Sequence, residues 1–390
     1  MLLWLSTSLF LYTWIGYPVI LFAGFKLLIG RHGKKSQNQL SGDALPSVSV
    51  IIPAYNVSEK IKHKLVNTLN LNYPRDKVEV IVVSDGSTDD TVECAKSIQA
   101  DNLHIYSLQN NTGKSSAQNY GITQAHNDIL LFTDVGSMLD TNYLIHLISS
   151  LRDPLVACAG GKAVLSTLGD QISASQGLYW KLEQFIRQVE SDLEMLHSLP
   201  GWGFAVRKSD FISLDPDTGD DMILPLDIAL HGKRSVFVPE AIVNDTMPSS
   251  VTGEFKARQR ITLRNLAGLM RRRALLNPFK HPRIAFAIWS HKVLRWMSPV
   301  FLILIFISSL VLFACSKNTF YSVILFTQLI LYFVGMVGIM LIWINMRVPI
   351  VGFLGSFLLF NAGFLAGLIK YGMGKSITNY ISYDSKIQKK

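Results

Sequence analysis

Cysteine is scarce in this 390-residue chain: Cys94, Cys158 and Cys315 are scattered, with no CxxC pair or metal-ligand spacing. That pattern excludes a disulfide framework and fits a reducing compartment. The nine histidines form no HExxH or comparable grouping, which argues against a protein-bound zinc site. Charge is thin as well, since Asp, Glu, Lys and Arg make up 17% of residues while 49% are hydrophobic. A balance so apolar points to a membrane. The net charge of +9 arises from basic residues crowded beside apolar stretches. Such placement suits anionic lipid headgroups, and no nucleic-acid-binding motif is present.

The apolar residues gather at the two ends. Leu2 to Ile29 is long enough to cross a bilayer. No Ala-x-Ala-like site follows it, so it is expected to be a retained signal anchor. Arg31, His32, Lys34 and Lys35 come next, which places the amino terminus outside and the following domain in the cytoplasm of a multi-pass inner-membrane protein. Residues 37–46 look like a polar linker. Three further apolar runs, at Ser298 to Ala314, Phe320 to Ile344 and Val348 to Ile369, bring the expected spans to about four. Three crossings after Trp296 leave Lys370, Lys375, Lys386, Lys389 and Lys390 outside, against the positive-inside bias. A re-entrant or interfacial last segment containing Asn361 removes the conflict; three spans are preferred. The stretch Arg271 to Trp296, basic and amphipathic with Trp289 and Trp296, suits the headgroup layer.

Between the ends lie three short β-branched runs. Val48 to Ile52 breaks at Pro53-Ala54-Tyr55-Asn56; Val78 to Val83 ends in Ser84-Asp85-Gly86-Ser87-Thr88-Asp89-Asp90; Ile129 to Phe132 ends in Thr133-Asp134. Helix-length gaps of about 25 and about 45 residues separate them, the spacing of parallel strands in a βαβ sheet. Each run puts its polar residues at the carboxyl edge, where open α/β sheets bind ligands. Asp85 can accept from the N–H groups of a base or ribose, and Thr88 or Asp89 can cap the next helix. In Asn110 to Asn119, Gly113 permits close backbone approach and Lys114 offers a cation for phosphate. Spacing alone leaves any nucleotide-binding sheet, flavodoxin-like ones included, open.

Further on, Tyr179 to Glu190 has helical periodicity, with Glu183 and Arg187 able to pair and Glu190 expected on a solvated face. Trp202, between Gly201 and Gly203, can stack on a sugar ring or belong to the core. Asp220 and Asp221 open a helix that Gly232 terminates, and acidic residues there are favoured by the helix dipole alone.

Taken in order, PAYN, SDGSTDD, NTGKSSAQN and LLFTDVG resemble the amino-terminal half of the family 2 glycosyltransferases, inverting enzymes of the GT-A fold that use nucleotide-sugar donors. The resemblance implies an α/β, Rossmann-like GT-A domain joined to transmembrane α-helices. It puts Pro53, Tyr55, Asp85 and Gly86 on the nucleoside side and Lys114 near the nucleotide. Asp134 becomes the first carboxylate of the DxD site for Mg2+ or Mn2+. The second DxD position is Gly136, which offers no side-chain oxygen. Metal use is thereby weakened but not removed, because such ions take one or two carboxylates and fill the rest with phosphate and water.

By the same resemblance Asp221 falls on the catalytic base and Asp220 on its acidic neighbour, with Gly201, Trp202 and Asp220 on the acceptor side. Arg260 lies near the place of the QxxRW arginine of processive synthases. However, Gln259 immediately precedes it and Ile261 stands where Trp belongs. The segment is more similar to an EFRRKVR-type branch, in which Arg258 or Arg260 is the functional arginine. The expected organisation is an anchor at 1–30, a linker at 31–46 and a catalytic domain at 47–265, divided into nucleotide (47–140) and acceptor (141–265) halves. Interfacial helices at 266–296, spans at 297–371 and a basic tail at 372–390 follow. The implied activity moves a sugar from a nucleoside diphosphate, UDP for preference, to a lipid-linked or polysaccharide acceptor. A catalytically silent sugar-nucleotide-binding subunit and a transporter are the rival readings.

Overall fold

The structure is a computed structural model that describes residues 1–29, 45–166, 171–246, 250–316, 318–344, 346 and 348–377. Arg31, His32, Lys34, Lys35, most of the expected linker and the last lysines lie outside the described residues. Eight strands form one sheet: β1 (Val48–Ala54), β2 (Val78–Asp85), β3 (Leu103–Leu108), β4 (Ile129–Thr133), β5 (Met138–Leu139), β6 (Val156–Ser166), β7 (Gly203–Arg207) and β8 (Arg234–Thr246). Their order is β3-β2-β1-β4-β7-β6-β8-β5. The β3-β2-β1-β4 half is parallel; β7 then runs antiparallel to both β4 and β6.

The helices are α1 (Leu2–Leu11), α2 (Tyr17–Ile29), α3 (Ser58–Leu69), α4 (Thr91–Lys96), α5 (Lys114–Gln124), α6 (Tyr143–Ser150), α7 (Gln171–Asp192), α8 (Asp220–Leu230), α9 (Val251–Arg271), α10 (Pro282–Ala287), α11 (Leu294–Trp296), α12 (Ser298–Ser316), α13 (Thr319–Trp343) and α14 (Pro349–Gly372). A π-helical turn, Tyr12–Gly16, joins α1 to α2, and another, Ile288–Val293, joins α10 to α11.

The apolar runs in β1, β2 and β4 are unbroken because both faces of these strands are covered. Val50, Ile52, Val80, Val82 and Leu131 meet Ile61 and Leu65 of α3 and Leu144 and Leu147 of α6. The alternate residues Ile51, Ile81, Val83, Leu130 and Phe132 meet Ala117 of α5 and Leu224 and Ile228 of α8. Strand β3, which the sequence reading passed over, lies at the edge of the sheet; its half-buried residues mix apolar and polar types and give a weak periodic signal.

Among the described residues, four helical stretches are long and apolar enough to cross a membrane: Leu2–Phe25, α12, α13 and α14. Helix α14 is continuous and touches two different neighbours. Toward its amino end, a Cβ on Gly338 of α13 would lie 2.1 Å from the Val351 carbonyl, so the two helices approach at backbone distance. Toward its carboxyl end, a Cβ on Gly363 would lie 2.6 Å from Cβ of Arg258, and one on Gly367 would lie 2.7 Å from Cβ of Thr262. Phe360 and Phe364 of α14 share a buried cluster with Met222, Ile223 and Leu226 of α8 and Leu269 of α9.

Two expectations for the basic and acidic faces need correction. Glu190 is buried, not solvated, because that side of α7 packs against α2 and the 288–296 segment; Glu183 and Arg187 approach to 3.8 Å, as their spacing suggests, and are buried with it. Tyr17 donates to Glu190 Oε1 at 2.7 Å, His291 Nδ1 lies 2.7 Å from the same oxygen, and Arg295 is bonded to Glu183. This cluster brings Glu190, His197 and His291 together although no sequence spacing announces it. Nor do all basic residues of 271–296 face lipid: Arg272 makes a buried bidentate pair with Asp227 at 2.5 and 2.6 Å. The exposed Arg271 instead holds half-buried Asp217, and Phe279 is 95% exposed.

Arg272→Ala strands the Asp227 carboxylate and is expected to cost about 3–5 kcal/mol, whereas the exposed pair broken by Arg271→Ala is worth at most about 1 kcal/mol. Thermal unfolding in detergent should separate the two variants clearly; equal shifts would contradict this assignment.

Candidate active site

The carboxyl edge of the parallel strands is laced together by short loops. Asn56, at φ 51°, accepts from Thr88 N at 2.8 Å and donates its own N–H to Ser87 Oγ at 3.1 Å. Asp89 receives Ser58 N at 3.1 Å and Thr91 N at 3.1 Å, so it ties the loop after β1 to the start of α4. Pro53 and Tyr55 are half-buried on this rim. Gly86 has φ +66°, and a Cβ there would meet the Asn110–Asn111 peptide at 2.6 Å, so only glycine fits.

Asp85 is buried and serves that same neighbouring loop. Its Oδ1 accepts from Thr112 N at 2.9 Å and Thr112 Oγ1 at 3.0 Å, and its Oδ2 accepts from Gly113 N at 2.8 Å. Three of roughly four acceptor positions on the carboxylate are thus filled within the chain. The effect is to fix the turn that delivers Lys114 at the first residue of α5.

Lys114 is the hub of the cleft. Its ammonium donates to Asp134 Oδ1 at 2.7 Å and to Asp220 Oδ2 at 3.0 Å, so it joins the end of β4 to the start of α8. Burial opposes its charge, but the two carboxylates outweigh burial and raise its pKa. Gln118, one turn along α5, donates to Asp220 Oδ2 at 2.8 Å. Burial also opposes the Asp220 charge; Lys114 and Gln118 overcome it and hold Asp220 below its ordinary range.

Asp221 behaves oppositely. Burial, followed by the negative charge of Asp220, raises its pKa, while Lys292, Arg187 and Lys114 pull the other way. Adjacent carboxylates are therefore split, one firmly ionised and one readier to take a proton, which is the division of labour used in acid–base sites. The Asp221 side chain lies beside Gly201, where a Cβ would be 3.5 Å from its own Cβ. Leu199 N donates to the Asp221 carbonyl at 2.8 Å. Trp202 is half-buried, edge-on to Trp180 at 5.0 Å, and its carbonyl accepts from Thr133 Oγ1 at 3.1 Å, next to Asp134.

Under the turn that follows β4 sits Lys64, fully buried. It donates to Thr133 Oγ1 at 2.8 Å and to the Ser137 carbonyl at 2.5 Å, clasping the turn that carries Asp134 and Gly136 at both ends. Burial lowers its pKa from 10.5 to about 7 against the pull of Asp134 and Asp245.

The sequence left Arg258 and Arg260 as alternatives. Arg258 pairs with Glu254 at 2.6 Å and lies 4.2 Å over the Phe360 ring, so it fastens α9 to α14. Arg260 is half-buried on the preceding turn from Arg264. Arg264, absent from the sequence-based set, is the arginine that crosses to the cleft: it bonds the Thr218 carbonyl and reaches Ser115 Oγ at 3.2 Å. The available signal was its i,i+4 spacing from Arg260, which puts both on one helix face. Arg187 and Lys292, close enough to Asp221 to act on its charge, were missed because they come from segments distant in sequence.

A parallel β3-β2-β1-β4 half, an antiparallel β7 and a second parallel pair β6-β8, with an acidic cluster at the carboxyl edge, give a mixed sheet of the GT-A type. Residues 49–213 match the model of glycosyl transferase family 2. The chain is 27% identical over 237 residues to poly-beta-1,6-N-acetyl-D-glucosamine synthase of Staphylococcus aureus strain COL, a match covering 59% of this chain and 57% of the relative. It is 38% identical over 119 residues to glycosyltransferase AglE of Haloferax volcanii, covering 30% of this chain and 39% of that one. The chain thus spans little more than half, or less, of the length of these curated relatives. Its fold is similar to that of the mannosyltransferase PcManGT from Pyrobaculum calidifontis, solved with GDP-Man and Mn2+, at a TM-score of 0.73 and 20% identity over 96% of this chain and 100% of that one.

Two outcomes test the site's construction. A Cβ at Gly219 would stand 2.5 Å from Asn265 Oδ1 and 2.9 Å from Asp221 Oδ1. Gly219→Ala should therefore displace the Asp221 carboxylate and lower turnover on the order of 10–100-fold with the fold retained; unchanged turnover would refute the geometry. The second concerns Lys64. With a folded pKa of about 7 against 10.5, the unfolded chain binds the proton that the folded chain has released throughout that window, so stability rises with pH there. Melting temperature in chelator-containing detergent buffer should climb from pH 7 toward pH 10, and Lys64→Met should flatten the slope.

Proposed function

We propose that the protein is an inverting transferase which moves a sugar from a nucleoside diphosphate, UDP for preference, to a hydroxyl of a lipid-linked or polysaccharide acceptor. The observation that carries this reading is the split pair Asp220/Asp221 at the start of α8, with the ionised member locked to Lys114. Asp221 takes the proton of the acceptor hydroxyl as its oxygen attacks the anomeric carbon. The new carbon–oxygen bond forms on one face while the bond to the β-phosphate oxygen breaks on the other, inverting the configuration and releasing nucleoside diphosphate.

Pro53, Tyr55 and Gly86 rim the nucleoside side, with Asp85 holding the loop beneath. Lys114, Arg264 and Arg260 face the charge that develops on the leaving diphosphate. Trp202 and Gly201 border the acceptor side. Asp134 is a hard oxygen donor at a strand end beside an exposed glycine, a fit for Mg2+ or Mn2+. When bound, such an ion neutralises diphosphate charge. The mannosyltransferase of like fold was solved with Mn2+, which supports the choice of ion.

The four apolar helices and the exposed Phe279 and Trp289 support a multi-pass protein of the inner membrane, with the catalytic domain at 47–265 on the cytoplasmic face and 266–296 at the headgroups. A polysaccharide or lipid-linked acceptor accords with the synthase relative and with a site joined to spans.

The test is nucleoside diphosphate release by the purified protein from a panel of UDP- and GDP-sugars, with membrane extract as acceptor source. Asp221→Asn should cut turnover by about 10²–10⁴-fold, and the acid limb of the pH profile should lie above the ordinary carboxylate range. Binding of donors without any turnover would replace the enzyme reading with that of a silent subunit.

A further inference from the structure

Gly136 removes the second carboxylate from the strand-end motif at β4, yet the space that carboxylate would fill is not without an acidic oxygen. Built onto Gly136, a Cβ meets a single atom within 4 Å, Asp245 Oδ1 at 3.7 Å. Asp245 Oδ1 is thus an acidic oxygen that borders the Gly136 position. Otherwise the position is exposed and open to the cleft.

The fold brings Asp245 there by strand register. Met138 of β5 pairs with Asn244 of β8, antiparallel, so one step further sets Ser137 against Asp245. The Ser137 hydroxyl confirms it by donating to Asp245 Oδ2 at 2.7 Å. On the other side of the same turn, the buried Lys64 ammonium holds Thr133 and Ser137, so Asp134 and Gly136 have little freedom to shift. Lys114 reaches Asp134 at 2.7 Å from across the cleft. Together these contacts give a fixed turn with one carboxylate of its own and a second delivered from a strand more than 100 residues later.

We propose that Asp245 supplies the second carboxylate of the divalent-cation site that Gly136 leaves vacant in sequence, so that Asp134 and Asp245, with the donor's phosphates, hold Mn2+ or Mg2+. The proposal rests on the transferase reading above, in which a nucleoside diphosphate occupies the cleft. Hard cations accept oxygen donors from any part of the chain, provided the geometry is met.

The experiment is Mn2+ titration of the full-length protein in detergent with saturating UDP or GDP, followed by electron paramagnetic resonance of free Mn2+. Asp245→Asn should weaken Mn2+ binding at least tenfold while melting temperature and metal-free nucleotide affinity stay near those of the parent. Adding Gly136→Asp to that variant should restore binding. If Asp245→Asn fails to fold, Gly136→Asp alone carries the test: two carboxylates in one place should lower the melting temperature in chelator, and Mn2+ should recover it by more than it raises the parent's. Unchanged Mn2+ affinity in Asp245→Asn, no rescue by Gly136→Asp, no Mn2+ binding by the parent, or a Gly136→Asp protein indifferent to Mn2+ would each overturn the assignment. Because turnover is measured separately, loss of this proposal leaves the transferase reading standing, and absence of turnover leaves the titration interpretable.

Discussion

One half-buried ammonium holds the cleft together. Lys114 contacts Asp134, at the end of β4, and Asp220, at the start of α8, and no other single group among the described ion pairs joins those two segments. Its position depends on Asp85 and Gly113 below it, and the ionisation of Asp220 depends on it in turn. The raised pKa of Asp221 comes first from its burial and then from that ionisation, because one fixed negative charge disfavours another beside it. The acid–base character of the site is therefore inherited through a short chain of contacts, and a change at any link is felt at the last.

A second chain of contacts leads outward. Helix α8, which begins with the acidic pair, shares a buried cluster with α9 and α14. Arg258 and Arg264, six residues apart on α9, point to different tasks: one clamps the long apolar helix, the other reaches the cleft. The same helix thus serves as both anchor and arm. Glu183, Glu190 and His291 add a buried polar clasp between α2, α7 and the 288–296 segment.

The parallel half of the sheet was legible because its strands are covered on both faces and leave unbroken apolar runs in the sequence. The acidic pair was legible because helix starts favour such residues and because the motif order resembled a known family. Strand β3 was not, since an edge strand mixes polar with apolar residues. The burial of Glu183, Arg187 and Glu190 was hidden for a different reason: local periodicity identifies a helix, but what covers each face is decided by segments far away. Arg264, Arg187, Lys292 and Asp245 escaped on the same ground, each becoming significant only through a neighbour more than 30 residues distant in sequence.

The glycines of α14 carry one more implication. Gly363 and Gly367 let an apolar helix lie against α9 at backbone contact, and α9 is packed to the helix that bears Asp221. On the transferase reading, the proposed base is thereby joined to a membrane helix at a set elevation. An acceptor whose tail is dissolved in lipid also presents each of its hydroxyls at a set elevation. On the transferase reading, which hydroxyl receives the sugar becomes a question of height above the bilayer, and the gauge that measures it is two missing side chains on a membrane helix.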